Sequence, residues 1–231
     1  MILKKNCNFI NPNFEKMKKI FLALFVIIMM TINASAQYKP FQFGLKIEPG
    51  VGWAKLNSEH LFDNKAKMNF NWGFVGNFYF VENYALSTGF NVKFINCEYS
   101  FKTAPEADDT MNDAITRTIQ NRYLEIPLGL TMRTEMINDI RIMSNVSYGM
   151  GFLLGANEKN YNAIGEEVAM MTQYGKMRHA LIVKLGVEYN VYKASCLTAA
   201  LVFNNNFVNI YKDNQQDVLL NNLCLEIGFM F

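Results

Sequence analysis

The stretch LLNNLCLEIGFMF, from Leu219 to Phe231, puts apolar side chains at 219, 223, 225, 227, 229 and 231 and polar or small ones at most positions between. Successive side chains of a strand point to opposite faces. The stretch therefore reads as a strand with one continuous apolar face, ending on an aromatic ring. Leu223, Leu225, Ile227, Phe229 and Phe231 are expected to face lipid, and Glu226 to face the other way.

Seven earlier segments repeat the pattern. The first, about 41–54, sets Phe41, Phe43, Leu45, Ile47, Val51 and Trp53 against Gln42, Gly44, Lys46, Glu48, Gly50 and Gly52. The second, about 67–80, sets Met68, Phe70, Trp72, Phe74, Phe78 and Phe80 against Asn69, Asn71, Gly73 and Asn77. In the third, from Tyr84, Leu86, Phe90, Val92 and Phe94 oppose Ser87, Gly89, Asn91 and Lys93. Its phase then slips: Ile95, Cys97, Tyr99 and Phe101 carry apolar character onward, as expected of a bulge or of a strand leaving the membrane. Further strands are predicted over about 119–133, 140–155, 177–190 and 195–208, each with a long apolar face opposite a more polar one.

The connections after strands two, four and six look short (Glu82-Asn83, Glu135 to Asp139, Val191 to Ala194), and those after strands one, three, five and seven look long and polar. Alternating short and long connections between strands of about 10 or more residues predict an all-β, eight-stranded antiparallel up-and-down transmembrane β-barrel with periplasmic termini. A soluble lipocalin-like barrel also has eight strands, but it turns its apolar face inward around a ligand.

On the predicted inner face sit Lys46, Lys93, Arg141 and Lys184 with Glu48, Glu125, Glu188 and Glu226, four of each sign. An eight-stranded interior is just wide enough for side chains to fill. These charges are expected to pair across a closed core, since an unpaired buried charge is costly; an ion path is the functional alternative. The glycines at 44, 50, 52, 73, 89, 129, 149, 151, 186 and 228 share that face, where curvature crowds larger side chains. Tyr79, Tyr84, Trp53 and Trp72 are candidates for interfacial aromatic girdles.

Met17-Lys18-Lys19, the apolar run Ile20 to Met30 and Ala34-Ser35-Ala36 before Gln37 read as a cleavable secretory signal. The eleven-residue run is well short of the roughly 20 residues needed to cross a bilayer as a helix. The expected organisation is an N-terminal extension and signal peptide over 1–36, with Met17 as the initiator, and a barrel domain over 37–231. The leader carries five Lys and one Glu, so the 195 residues that follow hold 17 basic and 19 acidic side chains. That balance gives no electrostatic support for a nucleic-acid partner. Cys97, Cys196 and Cys224 lack CxxC spacing, so neither a disulfide framework nor a zinc site is indicated.

No catalytic, cofactor or metal set emerges. His60 and His179 lack a Ser or carboxylate at telling spacing, although a few small barrels are lipid-modifying enzymes with a catalytic His at the outer rim, which makes His179 the position to watch. Glu106-Ala107-Asp108-Asp109 with Asp113 lacks the spacing and glycine of a calcium loop. Asn145-Val146-Ser147 matches a glycosylation sequon but falls within a strand.

Tyr123-Leu124-Glu125-Ile126-Pro127-Leu128 resembles the YLEIPL-type stretch of the PorT-like outer-membrane barrels of Bacteroidetes, and Gly44-Leu45-Lys46 and the closing strand reinforce the likeness. Pro127 is otherwise odd, since proline donates no ladder hydrogen bond. The resemblance implies a non-catalytic barrel integral to the outer membrane, exported through the periplasm. It allows an accessory role in protein secretion, as for the founding type. Phe229 and Phe231 resemble the C-terminal signal read by the barrel-insertion machinery. The expected partners are thus outer-membrane lipid, that machinery, and a secretion or surface partner met through outer loops at about 102–118 and 156–176.

Overall fold

The computed structural model describes residues 40–56, 61–102, 114–170, 172–192, 195–212 and 217–231. The signal-peptide segment, His60 and the acidic stretch 106–113 lie outside these residues. Eight strands follow in chain order: β1 (Phe41–Leu56), β2 (Leu61–Val81), β3 (Tyr84–Lys102), β4 (Ala114–Arg133), β5 (Ile140–Tyr161), β6 (Met177–Tyr192), β7 (Ser195–Asn206) and β8 (Val218–Met230). Each pairs antiparallel with the next, and β8 pairs with β1, so the sheet closes into an up-and-down barrel.

The period-two pattern accounts for the sidedness. Leu45, Trp72, Leu86, Leu128, Ile142, Leu185, Leu201 and Leu225, one from each strand, are all exposed, while Glu48, Asn71, Lys93, Glu125, Asn145, Glu188, Asn204 and Glu226 are buried within. A protein that exposes large apolar side chains all round and buries charge inside is built for lipid rather than water. This inside-out distribution excludes the lipocalin-like alternative. Phe231, Phe43, Phe74 and Phe90 stack in a row across the outer face near the termini, at centroid distances of 5.3, 6.1 and 5.8 Å.

Strands β2 to β5 run longer than expected, from 19 to 22 residues. Their upper parts run on past the outward apolar band, and the apparent slip in β3 lies there. That strand keeps its alternation and pairs with β4 from Tyr84 to Lys102 without a register shift. Above Phe94 the outward positions become Asn96 and Glu98, and Ile95, Cys97, Tyr99 and Phe101 point inward and are buried. They do not continue the lipid face. The irregularity lies across the ladder in β2, which carries one extra residue between Phe62 and Lys65 and another between Ala66 and Phe70 opposite this part of β3.

The longer strands also correct the loop pattern. Only 57–60 separate β1 from β2, fewer residues than the 134–139 connection between β4 and β5, so short and long connections do not alternate strictly. The predicted loop 102–118 contracts to 103–113, and 156–176 to 162–176.

Candidate functional site: the layered barrel interior

The interior is built in levels. At the end where β1 begins and β8 finishes, the Arg133 guanidinium lies 3.9 Å from the Tyr79 ring centroid, and its Nη1 donates to the Tyr79 hydroxyl at 3.0 Å. Arg133 and Arg141 share Glu188 at 3.5 and 4.0 Å. Tyr79 is 2 % exposed and points inward, so it is not a girdle residue. Trp72 and Tyr84 do face outward and are exposed.

Above this floor, Lys46 contacts Glu48 at 2.7 Å and Glu226 at 3.0 Å, and Lys184 holds the other oxygen of Glu226 at 2.9 Å. At the next level Glu125 sits between Lys93 at 2.7 Å and Arg178 at 2.6 Å. All three of these side chains are at most 1 % exposed. The structure thus brings the eight charges read from the sequence into three clusters and adds Arg133 and Arg178. The balance of four against four becomes, among the described residues of these clusters, six cations against four carboxylates. Strand parity already carried the signal, because Arg178 is in phase with Lys184 and Glu188, and Arg133 with Glu125. Both sit at strand ends.

A polar amide level comes next. Asn204 and Asn222 face each other across β7 and β8, and Asn69 and Asn121 are buried with them in the lumen. Above it, Ala54, Ile95, Cys97, Tyr99, Phe101, Ile115, Ile119, Tyr123, Val218 and Leu220 form an apolar plug together with Ile210 and Tyr211 of the β7–β8 connection. The sequence reading anticipated no such plug, since alternation does not say at what height the lumen changes from polar to apolar.

A cap of polar and aromatic side chains lies at the outer end. The buried Arg117 donates to Asn160 Oδ1 at 2.7 Å, pairs with Glu158 at 3.2 Å and lies 4.6 Å from the Phe101 ring centroid. Tyr99 and Tyr211 share a hydrogen bond at 2.6 Å, and Tyr174 donates to Glu158. Backbone bonds from Gly175 to Ile210 and from Lys212 to Gln173 tie the two connections together at 2.7 and 3.0 Å. Burial, reinforced by the hydrogen bond to Glu158, pushes the Tyr174 hydroxyl above its ordinary pKa and keeps it a donor.

The hexapeptide from Tyr123 to Leu128 is occupied by this architecture. Tyr123 packs in the plug and Glu125 holds the central ion pairs, while Ile126 and Leu128 are 40 % and 55 % exposed on the lipid face. Pro127 faces Gly149 of β5, and its carbonyl accepts from the Thr88 hydroxyl at 3.0 Å. His179 points outward and shares a hydrogen bond with Tyr148. Asn145, of the sequon, is buried and donates to Thr131.

Residues 36–212 match the family model described as "Outer membrane protein beta-barrel domain". No curated protein matches the chain by sequence. Among solved structures the chain is similar to Ail, the attachment invasion locus protein of Yersinia pestis, at 14 % identity, over 84 % of this chain and 100 % of that one, with a TM-score of 0.38. It is also similar to Neisserial surface protein A, at 13 % identity over 80 % and 95 % of the two chains, with a TM-score of 0.41. For OprG from Pseudomonas aeruginosa the figures are 9 % identity, 83 % and 95 % coverage, and a TM-score of 0.46.

Proposed function

The chain belongs to the outer-membrane β-barrel domain family, and from that premise we propose that it is a non-enzymatic integral barrel that holds its outer connections rigid for contact with a partner. The observation that carries this reading is the filled interior. Ion pairs, the apolar plug and the Arg117 cap succeed one another up the lumen. Function on such a scaffold falls to the exposed connections, and the β5–β6 connection presents Ile164 at 84 % exposure. Planar-bilayer recordings of the purified barrel are expected to show no conductance steps. Steady unit conductance would overturn the closed reading.

The second reading, an accessory role in protein secretion, draws on the PorT-like hexapeptide. The commitment of Tyr123 and Glu125 to packing and ion pairing makes that motif architectural, so the role would have to reside in the outer connections. Export by the N-terminal signal and insertion through Phe229 and Phe231 accompany either reading. A deletion strain separates them: loss of secreted proteins from the medium supports the accessory role, and an unchanged secretome eliminates it.

The same strain tests the lipid-enzyme alternative, for which His179 is the candidate. Among the described contacts its ring bonds to the Tyr148 hydroxyl rather than to a carboxylate that would orient it as a base. His179→Ala is expected to leave the lipid profile of the cells unaltered.

A further inference from the structure

We propose that the lumen holds a site for one small monovalent anion, of the halide class, among the ammonium groups of Lys46, Lys93 and Lys184. These three side chains line a cavity of about 30 Å³ together with Glu48, Glu226, Ser87, Asn91, Asn145 and Ser147. The side chains of Lys46 and Lys184 are 10 % and 12 % exposed although both point into the lumen, so part of each ammonium-bearing chain borders open space.

The charge balance selects the sign of the ligand. Both carboxylates of the cavity wall are already bound: Glu48 by Lys46, and Glu226 by Lys46 and Lys184. The neighbouring Glu125 is shared by Lys93 and Arg178. Among the described residues four cations therefore meet three carboxylates in this part of the lumen, and a net charge held away from water inside a membrane protein is costly until it is matched. A monovalent anion matches it with one particle. Size narrows the class: a cavity of about 30 Å³ suits a single atom or water-sized group, and phosphate or sulfate would bring more charge and bulk than the walls accommodate.

Asn91, 2 % exposed, also lines the cavity.

The wild-type barrel, refolded in detergent and crystallised in sodium bromide, tests this by anomalous diffraction. An anomalous peak in hydrogen-bonding range of Lys46, Lys93 or Lys184 Nζ is expected. In solution, the urea midpoint of the wild type should rise with chloride and stay flat with gluconate at equal ionic strength, because a ligand that binds only the folded state stabilises it. Lys184→Met leaves Glu226 paired with Lys46 and should bring the chloride response down to that of gluconate. No bromide peak in the lumen overturns the proposal. So does a peak without any chloride response in solution, or a response that Lys184→Met leaves unchanged.

Discussion

Glu125→Gln is expected to be the most damaging single substitution in the lumen. Glu125 is the shared counter-ion of Lys93 and Arg178, at 2.7 and 2.6 Å, and none of the three is more than 1 % exposed. Among the described contacts Lys93 keeps the Asn204 oxygen at 2.6 Å, and Arg178 keeps the Leu220 carbonyl at 3.5 Å and the Tyr123 ring at 6.0 Å. Two buried cations would then stand beside a neutral amide. Removing one partner of a buried ion pair costs about 3–5 kcal/mol, and this one leaves two charges unmatched. Urea titration of the folded band on unheated gels, in lipid vesicles, should show the midpoint falling far below wild type or no folded band at all. Lys93→Met, Glu125→Leu and Arg178→Met together should recover most of the loss, since removing a complete buried cluster in favour of apolar groups is close to neutral. A midpoint unchanged by Glu125→Gln alone would show that the network does not stabilise the fold.

Leu225→Arg is the second large effect, and it tests the opposite face. Leu225 lies midway along the outward row of β8 and is 46 % exposed; it pairs with Leu201 on β7. An arginine on the lipid face of a barrel costs about 2–4 kcal/mol near the bilayer midplane and about 0–1 kcal/mol near the interface. Leu219, on the same face but opposite Lys55 at the outer end, serves as the internal control. Leu225→Arg should lower the folding free energy in vesicles by the larger amount and Leu219→Arg by the smaller. Equal effects at both positions would mean that the apolar band is not ordered by depth in a bilayer.

The two substitutions sit on opposite faces of one sheet, and the sequence distinguishes those faces well. Alternation placed Glu125 inside and Leu225 outside from residue order alone, because a strand has no other way to arrange neighbours. The lumen positions of Lys46, Glu48, Lys93, Arg141, Lys184, Glu188 and Glu226 follow from the same parity. So does the inward face of the glycines. Gly186 shows why it matters: a Cβ there would lie 2.3 Å from the Ala199 carbonyl oxygen.

Parity is silent about height and about what meets across the lumen. Ile95, Cys97, Tyr99 and Phe101 read in the sequence as a bulge or a strand leaving the membrane; β3 keeps its alternation there and these residues point inside. Tyr79 looks like an interfacial aromatic until Arg133, on another strand, is found stacked over it. Lys46 reaches Glu226, and Glu125 reaches Arg178, across separations of 180 and 53 residues. What the sequence alone determined is therefore the eight strands, their two faces and the lipid-directed apolar band, all of which arise from local backbone geometry. What only the tertiary structure decided is how far each strand rises beyond the apolar band, which charges meet, and that cations outnumber carboxylates among the described lumen residues. Those depend on the register of the closed sheet, which brings distant residues to a common level and which no local pattern encodes.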